Sequence, residues 1–191
     1  MLKLDIQQFG GRGANSSNGY NNILSIEKNR IGMKSEKLTI LSKNGKVLQE
    51  LDGGENYVDA GEYRDLMKNA IITHNHPTDD NFSSGDIKEF IDSDIYEIRA
   101  STSKEVYSLK KGTGKLNKNI KDDYKKEDMN AWNYANKKLE EKIKNKTLGY
   151  KPSEQPARFN VDRQRLKAEY KHEWFKKNAR KYGYIYERKS F

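Results

Sequence analysis

The chain contains no cysteine, only 3 prolines, and no apolar run that approaches the roughly 18–20 residues needed to span a bilayer. The missing cysteine removes disulfides, Cys-ligated zinc and thiol nucleophiles, and excludes the zinc nucleobase deaminases. The missing apolar run removes a membrane-spanning helix. MLKLDIQQFGG, at the start, places Asp5 and two glutamines where a signal peptide needs an apolar stretch, so a soluble, non-exported protein is expected. Apolar residues make up only 34% of the 191 positions, so part of the chain is expected to lie outside a core. The length still allows a real core, since a domain of about 150 residues buries roughly 68–70% of its unfolded surface.

What is present is charge, unevenly placed. The formal net charge is +9, from 37 Lys+Arg and 28 Asp+Glu. Residues 1–110 hold 14 basic against 17 acidic side chains, and residues 111–191 hold 23 against 11. A mildly acidic front part therefore carries a strongly basic tail. Residues 10–22 (GGRGANSSNGYNN) are mostly Gly, Asn and Ser, too polar to offset their ordering entropy by burial, and read as part of a flexible arm over 1–22.

From Glu36 the pattern turns to strands. Leu38 and Ile40 alternate with Lys37 and Thr39, and Asn44-Gly45 favours the positive φ of a hairpin turn. Residues 61–69 suggest a short helix, 70–74 a buried strand, and Ser83 opens a helix containing Ile87, Phe90 and Ile91. Residues 95–101 and 106–109 suggest a second strand pair. Such mixing predicts an α/β (α+β) domain over 23–112. Beyond it the period becomes helical: Met129, Trp132, Ala135, Leu139 and Ile143 form one stripe. After Pro152 and Pro156, Asn160 can cap a second helix to about Lys181, with apolar rows Leu166/Tyr170/Trp174 and Val161/Ala168/Phe175/Ala179. The stretch 113–191 is thus expected to be a basic helical tail.

The chemistry gathers in residues 73–86. His74 and His76 are two apart in a strand, so both imidazoles can face one point, and Pro77 stops the strand. A helix beginning at Ser83 would turn Asp86 back toward that strand end. Two imidazoles, one carboxylate and an open fourth position describe a catalytic zinc site. Such a site needs a general base, for which Glu36 is the choice and Glu50 and Glu55 the competitors, and an oxyanion donor, for which Ser83 is placed. Ser83-x-x-Asp86 is equally a helix capping box. His172-Glu173 lacks a second histidine four residues on and reads as surface. His74-Asn75-His76 is not an HNH nuclease motif, because no further histidine follows until His172.

Glu36, His74-x-His76-Pro77 and Ser83-x-x-Asp86 together resemble the signature of the JAMM (MPN+/JAB) metalloproteases, in wording closest to the RadC-like branch. The likeness spans roughly residues 35–110. It implies a curved mixed sheet flanked by helices, one zinc ion held by His74, His76 and Asp86, Glu36 as general base, Ser83 as oxyanion donor, and hydrolysis of a peptide or isopeptide bond. The loop between His76 and Ser83 is one residue shorter than the family's usual one, and Phe82 stands where the family tends to have proline. A shortened loop ending in Phe-Ser is similar to forms in phage-encoded proteins.

Residues 4–14 (LDIQQFGGRGA) resemble the start of minor head and head-morphogenesis proteins of phages from low-GC Gram-positive hosts, in keeping with the abundant Lys and Asn. That resemblance implies a virion-associated minor capsid protein, made in the host cytoplasm, with portal or capsid proteins as partners. The tail interleaves Arg163, Lys167, Lys171, Lys177 and Lys181 with aromatic residues, a composition suited to DNA or to an anionic protein. The expected functions are a zinc-dependent hydrolase in the phage head, an inactive module of the same fold whose tail binds DNA or docks to the portal, or a phage effector or anti-defence hydrolase acting in the host.

Overall fold

The computed structural model describes residues 14–191. Its strands are β1 (Lys37–Leu41), β2 (Val47–Asp52), β3 (Ile71–Asn75), β4 (Glu97–Ser101), β5 (Glu105–Lys111) and β6 (Tyr184–Ser190). They form a single sheet in the order β2-β1-β3-β4-β5-β6. Every neighbouring pair is antiparallel except β3 and β4. A parallel pair cannot be closed by a tight turn, and the helix α3 (Ser84–Asp92) makes that crossover. The remaining helices are α1 (Ala14–Lys28), α2 (Arg64–Met67), α4 (Ile120–Lys144) and α5 (Pro156–Tyr182). The class is mixed α and β, as expected.

Side chains alternate across a strand, so the register decides what each face of the sheet buries. Ile40, Ile72, Ile98 and Leu109 lie in register on one face. Met67, Ile87, Phe90, Tyr124 and Phe175 from the four later helices cover that row and form the main core with it. On the other face, Thr39, Thr73, Arg99 and Ser108 are in register and lie under α1. There Glu27 accepts hydrogen bonds from Arg99 Nε (2.6 Å), Arg99 Nη2 (3.0 Å) and Thr73 Oγ1 (2.9 Å). Arg99 Nη1 donates to Glu97 Oε1 at 2.8 Å, and Glu97 also accepts from Ser108 Oγ at 2.7 Å. All three charged side chains are buried. Replacing one member of such a cluster strands its partners' charge in the interior. Arg99→Met is therefore expected to lower the unfolding free energy by about 3–5 kcal/mol, measured by urea denaturation.

Several expectations are corrected. Residues 14–22 belong to α1 and not to an arm, while 1–13 lie outside the described residues. A side chain at Gly19 would collide with the Asn44 carbonyl, and Asn22 Nδ2 donates to the Gly45 carbonyl at 2.8 Å. The glycine and asparagine that suggest flexibility are what let the helix dock on the β1–β2 turn. Of Asn44 and Gly45, only Gly45 takes a positive φ, at 79°.

Residues 113–191 are not an appended tail. β6 pairs with β5 from Glu105↔Ser190 to Lys111↔Tyr184, and Phe175, Tyr182 and Tyr184 share one core with Phe82 and Phe90. The division at residue 112 therefore cuts through a single hydrophobic core. Gly183, with φ 75°, ends α5 in the left-handed conformation and turns the chain into β6. α5 begins at Pro156, whose fixed φ suits the first helical position, and Asn160 lies inside the helix. On α4 the buried stripe is Ile120, Tyr124, Ala131, Ala135 and Leu139; Met129, Trp132 and Ile143 face solvent. On α5 the buried side runs through Ala168 and Phe175 as expected, but Val161 is exposed.

Candidate metal centre

β3 is buried on both faces, and its alternation sends Thr73 and Asn75 toward α1 and Ile72 and His74 toward the main core. The extended course continues past the strand end, where the His76 backbone N–H donates to the Ser101 carbonyl at 2.7 Å. His76 thus stays on the side of His74. Asn75, pointing the other way, accepts from the Lys37 N–H (2.7 Å) and donates to the Ser35 carbonyl (2.9 Å). Its amide so brackets Glu36 on both sides. Continuing the Leu38↔His74 register by two residues places Glu36 across from His76.

The third group arrives on α3. Ser83 is the N-cap, and the capping box is complete: Ser83 Oγ accepts from the Asp86 N–H at 3.1 Å, and Asp86 Oδ2 accepts from the Ser83 N–H at 2.6 Å. The Ser83 hydroxyl also donates to Asp86 Oδ2 at 2.8 Å. The other oxygen, Asp86 Oδ1, lies 3.1 Å from His74 Nε2, while Asp86 Oδ2 is 3.4 Å from His76 Nε2. The two Nε2 atoms are 2.8 Å apart. Capping and convergence on the histidines are thus one arrangement: Asp86 Oδ2 serves both the cap and His76, while Oδ1 faces His74.

One ligand atom from each of His74, His76 and Asp86 lies within 4.8 Å of the others. The donor set fits a cation on a second ground as well. His76 Nδ1 is 2.9 Å from the Asp80 carbonyl, an acceptor that fixes the ring proton on Nδ1 and leaves Nε2 its lone pair in the neutral ring. His74 Nδ1 is buried and has no hydrogen-bond partner among the described residues. Burial disfavours charge on His76, but the hydrogen bond and charge of Asp86, with the Asp80 carbonyl, outweigh it and hold the imidazole up at about 9. Asp86 is held well below its ordinary value, because the attraction of both histidines overcomes the burial that would raise it.

Glu36, His74, His76, Ser83 and Asp86 line a cavity of about 450 Å³ together with the apolar side chains of Leu38, Met67, Ile72 and Ile98. Burial raises the Glu36 carboxyl above its ordinary value, against the pull of His76 and His74. Neither competitor lines this cavity. Glu50 accepts from Thr39 Oγ1 and pairs with Arg30 on the α1 face, and Glu55 borders a neighbouring cleft beside Pro77. The structure therefore brings Glu36, His74, His76, Ser83 and Asp86 together.

It does not do so for the basic residues of the C-terminal segment. Lys167 and Lys171 are 4% and 1% exposed and point inward to Asp80, so neither can offer its ammonium group to a phosphate. Arg163 lies over the Trp132 and Phe159 rings, Lys181 pairs with Asp123, and Lys177 is exposed. His172 is half-buried, its Nδ1 3.1 Å from the Tyr186 hydroxyl. The cluster of Asp80 in the loop with Asp128, Lys167 and Lys171 had no sequence signal, because only the packing of α4 and α5 brings the last three to the loop. Comparison with protein-family models, with curated proteins and with solved structures finds no match for this chain.

Proposed function

We propose that this protein is a JAMM-like, zinc-dependent hydrolase of a peptide or isopeptide bond. The observation that carries this reading is the convergence of His74, His76 and Asp86 in a cavity that Glu36 also lines. His74 Nε2, His76 Nε2 and an Asp86 carboxylate oxygen would hold the ion. Bound zinc polarises the scissile carbonyl as a Lewis acid. The rest falls to the chain. Glu36, whose raised carboxyl suits a proton acceptor, takes the proton of the water that adds to the carbonyl and returns it to the leaving nitrogen. Ser83 would stabilise the oxyanion by trading its hydrogen bond to Asp86 for one to the substrate. Leu38, Met67, Ile72 and Ile98, which line the same cavity, would receive the side chain next to the cleaved bond.

The setting we propose, a minor head protein of a phage particle with portal or capsid partners, rests on the resemblance of residues 4–14. Lys167 and Lys171 turn inward, so the C-terminal segment is read as part of the hydrolase and not as a DNA-binding arm. Metal analysis of freshly purified protein is expected to find about one zinc per chain, as a three-ligand catalytic site holds. The double substitution His74→Ala and His76→Ala is expected to abolish it. Wild-type protein that carries no zinc and takes none up on titration would sink the proposal.

A further inference from the structure

The loop that joins His76 to Asp86 is gripped almost residue by residue from the C-terminal segment. Asp80 Oδ2 accepts from Lys167 Nζ (3.0 Å) and Lys171 Nζ (2.8 Å). Asn81 Nδ2 donates to the Tyr186 hydroxyl at 2.9 Å. The Phe82 carbonyl accepts from the Tyr124 hydroxyl (2.7 Å) and Lys171 Nζ (3.2 Å), and the Ser84 N–H donates to Asp128 Oδ2 (3.0 Å). Lys171 is the hub. Its ammonium group has three N–H donors and meets three acceptors: Asp80 Oδ2, the Phe82 carbonyl and Asp128 Oδ1, the last at 2.8 Å. Lysine is almost never fully buried unless paired, and at 1% exposure this one is.

Each contact bears on a ligand. Asp80, whose side chain Lys171 holds, supplies through its own carbonyl the acceptor for His76 Nδ1–H. Asp128, held by the same nitrogen, caps the first turn of α3, from which Asp86 projects. One ammonium group thus ties together the acceptor that orients His76 and the helix end that presents Asp86. An apolar side chain could fill the same volume, but it would leave Asp80 to Lys167 alone, the Phe82 carbonyl to Tyr124 alone and Asp128 to the Ser84 N–H alone, with nothing tying the three together.

We infer that Lys171 is the positioning residue of this centre: through Asp80 and Asp128 it fixes the His76 ring and the start of α3 relative to each other. The metal arm of the test rests on the zinc reading above; the other arm does not. In metal-free protein labelled with 15N-histidine, wild type is expected to show a slowly exchanging Nδ1 proton assigned to His76. Lys171→Met is expected to exchange it at least about tenfold faster, and, in a competition with a chromophoric chelator, to bind zinc about 10–100-fold more weakly, the usual cost of losing an outer-shell partner. Arg99→Met removes an equally buried cation on the opposite face of the sheet. It should lower thermal stability while keeping the wild-type proton signal and zinc affinity. If Lys171→Met keeps both signals, or Arg99→Met loses them equally, the positioning role is overturned. If wild type binds no zinc, the metal reading fails, and the Nδ1 proton alone still decides the role of Lys171. If Lys171→Met does not fold, Lys167→Met, which leaves Lys171 in place, is expected to lose less in the same direction; unchanged signals there would overturn the inference.

Discussion

A chain truncated after Gly112 is expected to show no cooperative unfolding transition and to lose the near-ultraviolet circular dichroism of packed aromatic residues. The truncation removes α4, α5 and β6, and with them Tyr124, Phe175, Tyr182 and Tyr184 from the main core. Truncating a single buried aromatic side chain costs about 3–5 kcal/mol, so losing four, about 12–20 kcal/mol, is as large as the roughly 5–15 kcal/mol by which most domains are stable. It also leaves β5 as an open edge along its whole length, a template for aggregation. A soluble fragment with a sharp urea transition and bound zinc would instead establish an independent front domain.

The second large effect belongs to Asp86, whose carboxylate serves both the cap of α3 and the two histidines. Asp86→Ala removes the carboxylate from both histidines and the acceptor from the Ser83 N–H at one stroke. Zinc affinity is expected to fall by more than about a hundredfold, beyond the cost of losing an outer-shell partner. Stability in the metal-free state is expected to fall by about 0.5–2 kcal/mol from the lost cap. Asp86→Asn separates the two roles. Its amide oxygen can still accept from the Ser83 N–H, so the helix start should survive while most of the metal affinity goes. Isothermal titration with zinc and urea denaturation of the chelated protein measure the two effects independently. An Asp86→Asn protein with wild-type zinc affinity would remove Asp86 from the ligand set.

The front half of this fold was legible because its signals are local. Strand alternation at Leu38 and Ile40, the Pro77 stop and the Ser83 cap each act within a few residues, and all lie where the sequence places them. The histidine pair was legible for the same reason, since a spacing of two in a strand fixes a common face. The back half was misread where the signal is not local. Tyr184-Ile185-Tyr186 alternates like a strand, yet its partner β5 lies more than 70 residues earlier, and nothing nearby in sequence announces the pairing. Lys167 and Lys171 read as part of an outward surface for DNA or an anionic protein; only Asp80 and Asp128, contributed by other elements, turn them inward. Gly19 and Asn22 were misread in the same way, since their purpose is contact with a hairpin that comes later in the chain.

The place of β6 has a consequence for the order of events in the cell. His74 and His76 leave the ribosome long before Lys171, and Tyr186, which holds Asn81, comes later still. A nascent chain therefore carries both imidazoles through a period in which the loop between His76 and Asp86 has nothing to lean on. Pairings of such long sequence separation form slowly. In a chain still being synthesised, that loop thus stays without these braces until α5 and β6 have been made and packed against it.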